Sequence, residues 1–296
     1  MKKLTLSLLY VGLITTTVIA EENCIMFYET QNYEKSAECS VKKLKKERSY
    51  TNLETAGFSY MQLGRYKDAL PYLKEAEKKV QISSDYRILC SFLSAAYGRT
   101  GDTIQELAYN MKFLDLSLKS GVRKNIGSAY NNLGSYYFNQ EQNQKALEYF
   151  EKALKYHEEL ESSITYNNMA AAYNELEDYQ KAEEMYQKAI MIDQKSGDYH
   201  SLGTHKMHLG SFYFTQHHNK EARRTLEDAL VISRNGGNIS SQSHALSLLA
   251  VIDYREGYIV QAKEKASEAL RLAKQSGASA TSGEANIAWK LVNGQK

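Results

Sequence analysis

Small and large side chains recur along this chain in a fixed order. Five segments share one skeleton: Ala56-Gly57 with Tyr60, Ala69 and Ala76; Leu133-Gly134 with Tyr137, Ala146 and Ala153; Met169-Ala170 with Tyr173, Ala182 and Ala189; Leu209-Gly210 with Tyr213, Ala222 and Ala229; and Leu249-Ala250 with Ala262 and Ala269. In each, the small residue precedes the first alanine by twelve positions and the second alanine follows seven later. The last copy carries Asp253 where the others carry tyrosine. A tyrosine three positions beyond the small residue shares its helical face, and alanines seven apart return to one face after two turns. The spacing therefore predicts paired helices. The small residue lets the second helix approach closely, and the matching alanine on that helix completes the contact.

The first alanines fall at 69, 146, 182, 222 and 262, and the gap of 77 hides another unit, visible as Leu93, Tyr97 and Gly101-Asp102 with a degenerate second half over 107–118. A partial unit with its turn at Asn32-Tyr33-Glu34-Lys35 precedes them. Turn segments such as Leu63-Gly64-Arg65 and Leu176-Glu177-Asp178 separate the helices of a pair. Second helices tend to end in a cation before glycine, at Lys119-Ser120-Gly121, Lys195-Ser196-Gly197, Arg234-Asn235-Gly236 and Lys274-Gln275-Ser276-Gly277. The cation complements the helix dipole and the glycine supplies a left-handed cap. Pro71 is expected near the start of a second helix, at the cost of one backbone bond. Residues 282–292, with Trp289, read as a helix closing the last hairpin, because a final repeat has one face without a neighbour. No segment of strand period interrupts the pattern. The expected fold is all-α, a solenoid of about seven hairpins over 21–49, 50–86, 87–126, 127–162, 163–202, 203–242 and 243–277, with the capping helix 282–292.

The first twenty residues stand outside this repeat. Lys2-Lys3, an apolar run over 4–19, and Val18-Ile19-Ala20 before Glu21-Glu22 read as a secretory signal peptide cleaved after Ala20. The alternative is an uncleaved anchor formed by residues 4–20, and membrane contact is expected only then. The remaining chain is polar, with mean hydropathy −0.54 for the whole sequence. A single proline in 296 residues argues against loop-rich folds. Removing Lys2 and Lys3 leaves 35 basic against 35 acidic side chains, no electrostatic footprint for nucleic acid. Export to a periplasmic or secreted location permits disulfides. Cys24 and Cys39 flank the turn at Gln31-Asn32 almost symmetrically, so in an antiparallel hairpin their sulfurs meet; two buried free thiols are the alternative. A bridge closing a loop of about 15 residues contributes about 3 kcal/mol in the chain-entropy account. Cys90, in an apolar helical stretch, reads as a core thiol.

Nothing points to catalysis or a cofactor. The chain has no Gly-rich phosphate loop, no H-E-x-x-H, no C-x-x-C and no G-x-S-x-G. The segment His157-Glu158-Glu159-Leu160-Glu161 lacks a second histidine and reads as a solvated helix end. His205 and His208 share a helical face, but no carboxylate or thiol at ligand spacing completes a metal site.

The Leu-Gly, Tyr, Ala and Ala skeleton resembles the tetratricopeptide repeats, over about 250 residues. Periods near 40 resemble the long-repeat variant of kinesin light chains and Rap-type regulators. The repeat-boundary proline of the family is absent, and Lys206 stands where an aromatic opens the first helix. The resemblance implies a right-handed superhelical solenoid whose first helices line a concave groove that holds another protein or a peptide segment. It places Asn131, Asn132, Ser135, Phe138 and Asn139 of one unit, Asn167, Asn168, Ala171 and Asn174 of the next, and Met207, His208, Ser211 and Phe214 of the third at groove positions. Asparagine amides both donate to and accept from a peptide backbone, while Phe138, Met207 and Phe214 offer apolar contacts. The alternative is that the paired asparagines cap or bridge neighbouring hairpins. Arg99 and Arg255 occupy a further groove position suited to a carboxylate, or to an exposed structural ion pair. Two other classes fit the architecture: a structural subunit of an envelope assembly that uses its convex surface or termini, and a peptide-sensing regulator.

Overall fold

The structure is a computed structural model. It describes residues 24–30, 32–276 and 279–294, with side chains described outside 276–282. The expected signal segment 1–20, Gln31 of the first turn and the expected cap Gly277 lie outside the described residues. Among the described residues every regular element is helical and no strand occurs. None of these helices is long and apolar enough to cross a membrane.

The chain divides into two compact units, 1–112 and 113–296. In the first, a helical stretch at 24–29 precedes α1 (Tyr33–Leu44), α2 (Tyr50–Gln62), α3 (Tyr66–Glu77) and α4 (Ser83–Thr100). The helix α5 (Thr103–Ser120) carries the chain into the second unit. There follow α6 (Arg123–Asn139), α7 (Asn143–Leu154), a 3-10 turn (Glu159–Glu161), α8 (Ser163–Glu175), α9 (Tyr179–Ser196), α10 (Tyr199–Thr215), α11 (Asn219–Asn235), α12 (Ile239–Arg255), α13 (Ile259–Ser276) and α14 (Ser279–Val292). Side-chain caps start several helices: the side chains of Ser49, Asp178, Asp198 and Asn238 each accept from a backbone N–H three residues on.

Turn geometry repeats with the skeleton. The residue seven beyond the small position takes a left-handed backbone in every complete hairpin: Gly64, Gly101, Glu141, Glu177, His217 and Gly257. Between hairpins Gly121 and Gly197 fulfil their predicted left-handed role, with φ of 68° and 72°. Gly236 does not. Its φ is −87°, and the left-handed turn falls one residue later, on Gly237 with φ 69°.

All ten skeleton alanines are fully buried. The small first-helix residue, however, meets a different partner from the expected alanine. A Cβ placed on Gly57 would stand 2.8 Å from Leu73 Cγ, one on Gly134 2.5 Å from Phe150 Cδ1, and one on Gly210 2.7 Å from Leu226 Cγ. The partner is thus the large residue four beyond the first alanine. Its side chain fills the notch that glycine leaves, and burying each contributes about 1.5–3 kcal/mol. Tyrosines three beyond the small position stack on a second ring in three hairpins: Tyr60 on Tyr72 at 5.6 Å, Tyr97 on Tyr109 at 5.6 Å and Tyr137 on Tyr149 at 5.1 Å. In the last hairpin the same two positions hold Asp253 and Lys265 as an ion pair, and Arg223 Nη1 reaches the second oxygen of the buried Asp253 at 2.7 Å. In the degenerate unit Glu106 occupies the first alanine's place. It is buried against Gly98, where a side chain would collide with its carboxyl group.

Pro71 lies inside α3 rather than near its start. It is exposed, so water can satisfy the carbonyl that its missing N–H leaves open. His157 is half-buried and faces Gly127, its ring 3.2 Å from Thr165 Oγ1; the expected solvated helix end holds for the exposed Glu158, Glu159 and Leu160 but not for this packed histidine. In the first unit Cys24 and Cys39 form a disulfide with Cα atoms 5.3 Å apart, and Ser36 Oγ donates to the Cys24 carbonyl at 2.8 Å. Cys90 is a buried free thiol whose pKa burial pushes up to about 11. At the other end of the chain, Trp289 and the buried Val292 of α14 pack on Ala250, Ala262 and Ala266.

Candidate functional site on the first helices

In the second unit the first helices α6, α8, α10 and α12 repeat one register, so equivalent positions lie side by side. Positions six before, two before and one after the small residue are partly exposed in all four helices, apart from the exposed Ile164. On α6 these are Ser128, Asn132 and Ser135, and on α8 Ile164, Asn168 and Ala171. On α10 they are Thr204, His208 and Ser211, and on α12 His244, Leu248 and Val251.

Side chains join each helix to the next along this face. Asn168 Nδ2 donates to Asn131 Oδ1 at 3.2 Å and to Ser135 Oγ at 3.4 Å, linking α8 to α6. Asn167 is buried, and its Oδ1 lies 2.9 Å from His208 Nδ1 on α10. With an amide oxygen as acceptor the proton sits on Nδ1, and the neutral ring keeps Nε2 as an acceptor. Burial, with His205 and His244 nearby, pushes the His208 pKa down to about 4. Next, Asn238 Nδ2 donates to Thr204 Oγ1 at 2.8 Å, and Thr204 and Ser241 hydroxyls meet at 3.2 Å. Finally His244 Nδ1 pairs with Glu284 of α14 at 3.0 Å. His205 takes no part in this face: it is buried and bonds Asp193 at 2.6 Å.

The sequence-derived candidates therefore separate into three groups. Asn132, Asn168 and His208 lie on the partly exposed face, and Asn132 has no hydrogen-bond partner among the described residues. Asn131 and Asn167 bridge hairpins, as the structural alternative expected. Met207 is displaced altogether: it is buried in a core with Leu226, Leu230 and Leu249. It shares the register of Asn131 and Asn167, three before the small residue, where side chains point between helices. Phe138 is half-buried against the core around Phe150 and Met169, and Asn174 has its Oδ1 shielded and unpaired. Arg255 is exposed at the end of α12 with its guanidinium 4.9 Å from the Phe214 ring centre. Arg99 is exposed at the end of α4 in the first unit. Sequence reasoning missed Ser128, Ile164 and Thr204, although each lies one helical turn before a candidate it did name, and missed His244, Leu248 and Val251 of α12, where it named only Arg255. Among the described residues no group of three or more His, Cys, Asp or Glu is placed to hold a metal ion.

A tetratricopeptide-repeat profile matches residues 125–195 and 161–235. No curated protein sequence matches the chain. Solved structures share the fold at low identity. A Rap protein complexed with competence and sporulation factor aligns with TM-score 0.64 and 12% identity over 88% of this chain and 80% of its own. The Rap conjugation gene regulator of plasmid pLS20, in complex with a Phr peptide, gives 0.61 and 16% over 86% and 72%. A signal-transduction ATPase with a tetratricopeptide-repeat sensor from Pyrococcus horikoshii gives 0.59 and 19% over 96% of this chain, which spans only 45% of that protein. Residues 125–235 thus carry the tetratricopeptide-repeat match, and the small residue, tyrosine and alanines recur beyond them in hairpins of the fold these solved structures share.

Proposed function

We propose that this protein is a non-catalytic scaffold that holds an extended segment of another protein or a peptide on the first-helix face of residues 113–296. One observation carries the reading. Asn132 presents an amide with no partner among the described residues, in a row with Asn168, whose own amide is oriented by Asn131 and Ser135. An amide both donates and accepts, so a row of them captures backbone irrespective of sequence. The two Rap structures, each complexed with a peptide or signalling factor, support the reading. Arg255, stacked on Phe214, is the residue we assign to a ligand carboxylate at the edge of the face.

The working place we propose is the cell envelope or beyond. The Cys24–Cys39 disulfide is consistent with an oxidising compartment, and the apolar run over 4–19 supports export. An alkaline-phosphatase fusion after residue 30 should be active, and an inactive one removes this location. For binding, a photo-crosslinking amino acid at position 128 or 211 should trap a partner in the native host, and one at Glu148 on α7 should not. Equal trapping from all three positions would remove the assignment to this face.

A further inference from the structure

We infer that the ligand segment lying across α6 to α12 carries no charged side chain, its residues there being small polar or apolar. This rests on the binding reading above and names the ligand's chemistry. The three register positions named above hold Ser, Asn, Ile, Ala, Thr, His, Leu and Val on the four first helices, and no Asp, Glu, Lys or Arg; the partly exposed Lys206 of α10 lies on another register and pairs with Asp228. The chain is 24% charged, so twelve positions drawn from it would carry about three such residues. The opposite side of the same hairpins is charged: α7 alone exposes Lys145, Glu148, Glu151 and Lys152. The histidines do not supply the missing charge, because burial and mutual proximity hold His208 neutral and burial lowers the pKa of His244. The half-exposed Glu284 of α14 beside His244, and Arg255 on Phe214, stand at the edges of the strip and not on it.

A half-buried strip of amides, hydroxyls and methyl groups treats two classes of ligand differently. A charged side chain laid on it loses water and finds no counter-ion, a penalty that selects against it. A serine, asparagine or threonine exchanges water for Asn132 or Ser211, and a small apolar residue covers Ile164, Leu248 or Val251. Selectivity here comes from an absent charge.

The test is selection of random twelve-residue peptides displayed on phage against the full-length protein, with Asn132→Ala/Asn168→Ala as the counter-selected variant. Peptides enriched on the wild type and lost on the variant should be depleted in Asp, Glu, Lys and Arg relative to the starting library. A synthetic copy with an amidated C-terminus, which leaves Arg255 without a carboxylate, should change Kd less than twofold between 50 and 500 mM NaCl. Placing lysine at its centre should weaken binding at least tenfold, and Ser211→Asp should restore much of that loss. Enriched peptides rich in charge, still dependent on Asn132 and Asn168, would overturn the neutral-ligand inference while leaving peptide binding intact. Failure to enrich any peptide dependent on those residues would overturn the binding reading itself. Circular dichroism of each variant separates loss of contact from loss of fold.

Discussion

At the scale of single residues, the position seven beyond each small residue separates backbone demand from side-chain identity. Glycine meets the left-handed demand at Gly64, Gly101 and Gly257, whereas Glu141, Glu177 and His217 adopt φ of 59–60° with a Cβ present. A non-glycine residue pays roughly 1–2 kcal/mol there, partly offset by the lower entropy of its unfolded chain. Glu177→Gly is therefore expected to raise unfolding stability by roughly 0.5–1 kcal/mol in urea titration, with no gain meaning that the turn carries no strain. The notch at Gly134 acts the other way. Gly134→Ala drives a methyl into Phe150 and should cost about 1–3 kcal/mol; Phe150→Leu in the same chain should recover part of it. The alanine burial was legible because a residue that recurs in step with a helical face belongs to a packed face. The partner of each glycine was not, since spacing identifies a face and not the side chain that fills it. The same limit explains Met207. Neighbouring helix positions point about 100° apart, so treating Asn131-Asn132 and Met207-His208 as single groove elements merged an interhelical row with an exposed one.

At the scale of elements, helix ends and pairing followed from the alternation of skeleton and turn residues, and most deviations lie where one residue breaks the local rule. Pro71 sits mid-helix on the exposed side of α3. Pro71→Ala restores a backbone N–H and should stabilise the protein by about 1–3 kcal/mol, read as a higher midpoint in thermal unfolding; a lower midpoint would show that the ring itself packs usefully. The first hairpin is fastened covalently instead. Reducing Cys24–Cys39, or Cys24→Ser, should cost about 3 kcal/mol by the loop-closure account, and Cys90→Ser should remain sensitive to reductant as the wild type is. A mass shift on alkylation of unfolded Cys90→Ser without reductant would show instead that Cys24 and Cys39 are free. The pairing of Cys24 with Cys39 was legible because both are about equally far from a turn. The packing of His157 was not, because its cause, Gly127, lies thirty residues earlier.

At the scale of the whole molecule, His208 couples stability to acidity. His208 has a pKa of about 4 when folded, against about 6.5 in an unfolded chain. The unfolded chain takes up the proton first as pH falls. The contribution is therefore fully present above pH 6.5 and lost progressively down to about pH 4, at a cost of about 3 kcal/mol. Thermal melts between pH 7 and 4.5 should show a steeper loss for the wild type than for His208→Gln, and parallel curves would remove the histidine from the account. The repeat architecture itself was legible because self-similar spacing survives wherever packing demands it; the neutral face was legible only in part, since adjacency between helices 35–40 residues apart requires the folded register. Such similarity carries a hazard: near-identical hairpins can exchange neighbours during folding, and ring pairs of the kind formed by Tyr137 and Tyr149 are interchangeable. The trio of Arg223, Asp253 and Lys265 is not. Lys265 travels with Asp253 inside the last hairpin, but Arg223 belongs to the hairpin before it, so a last hairpin docked elsewhere would leave the buried Asp253 short of one cation, and this contact works as a key that favours its own place in line.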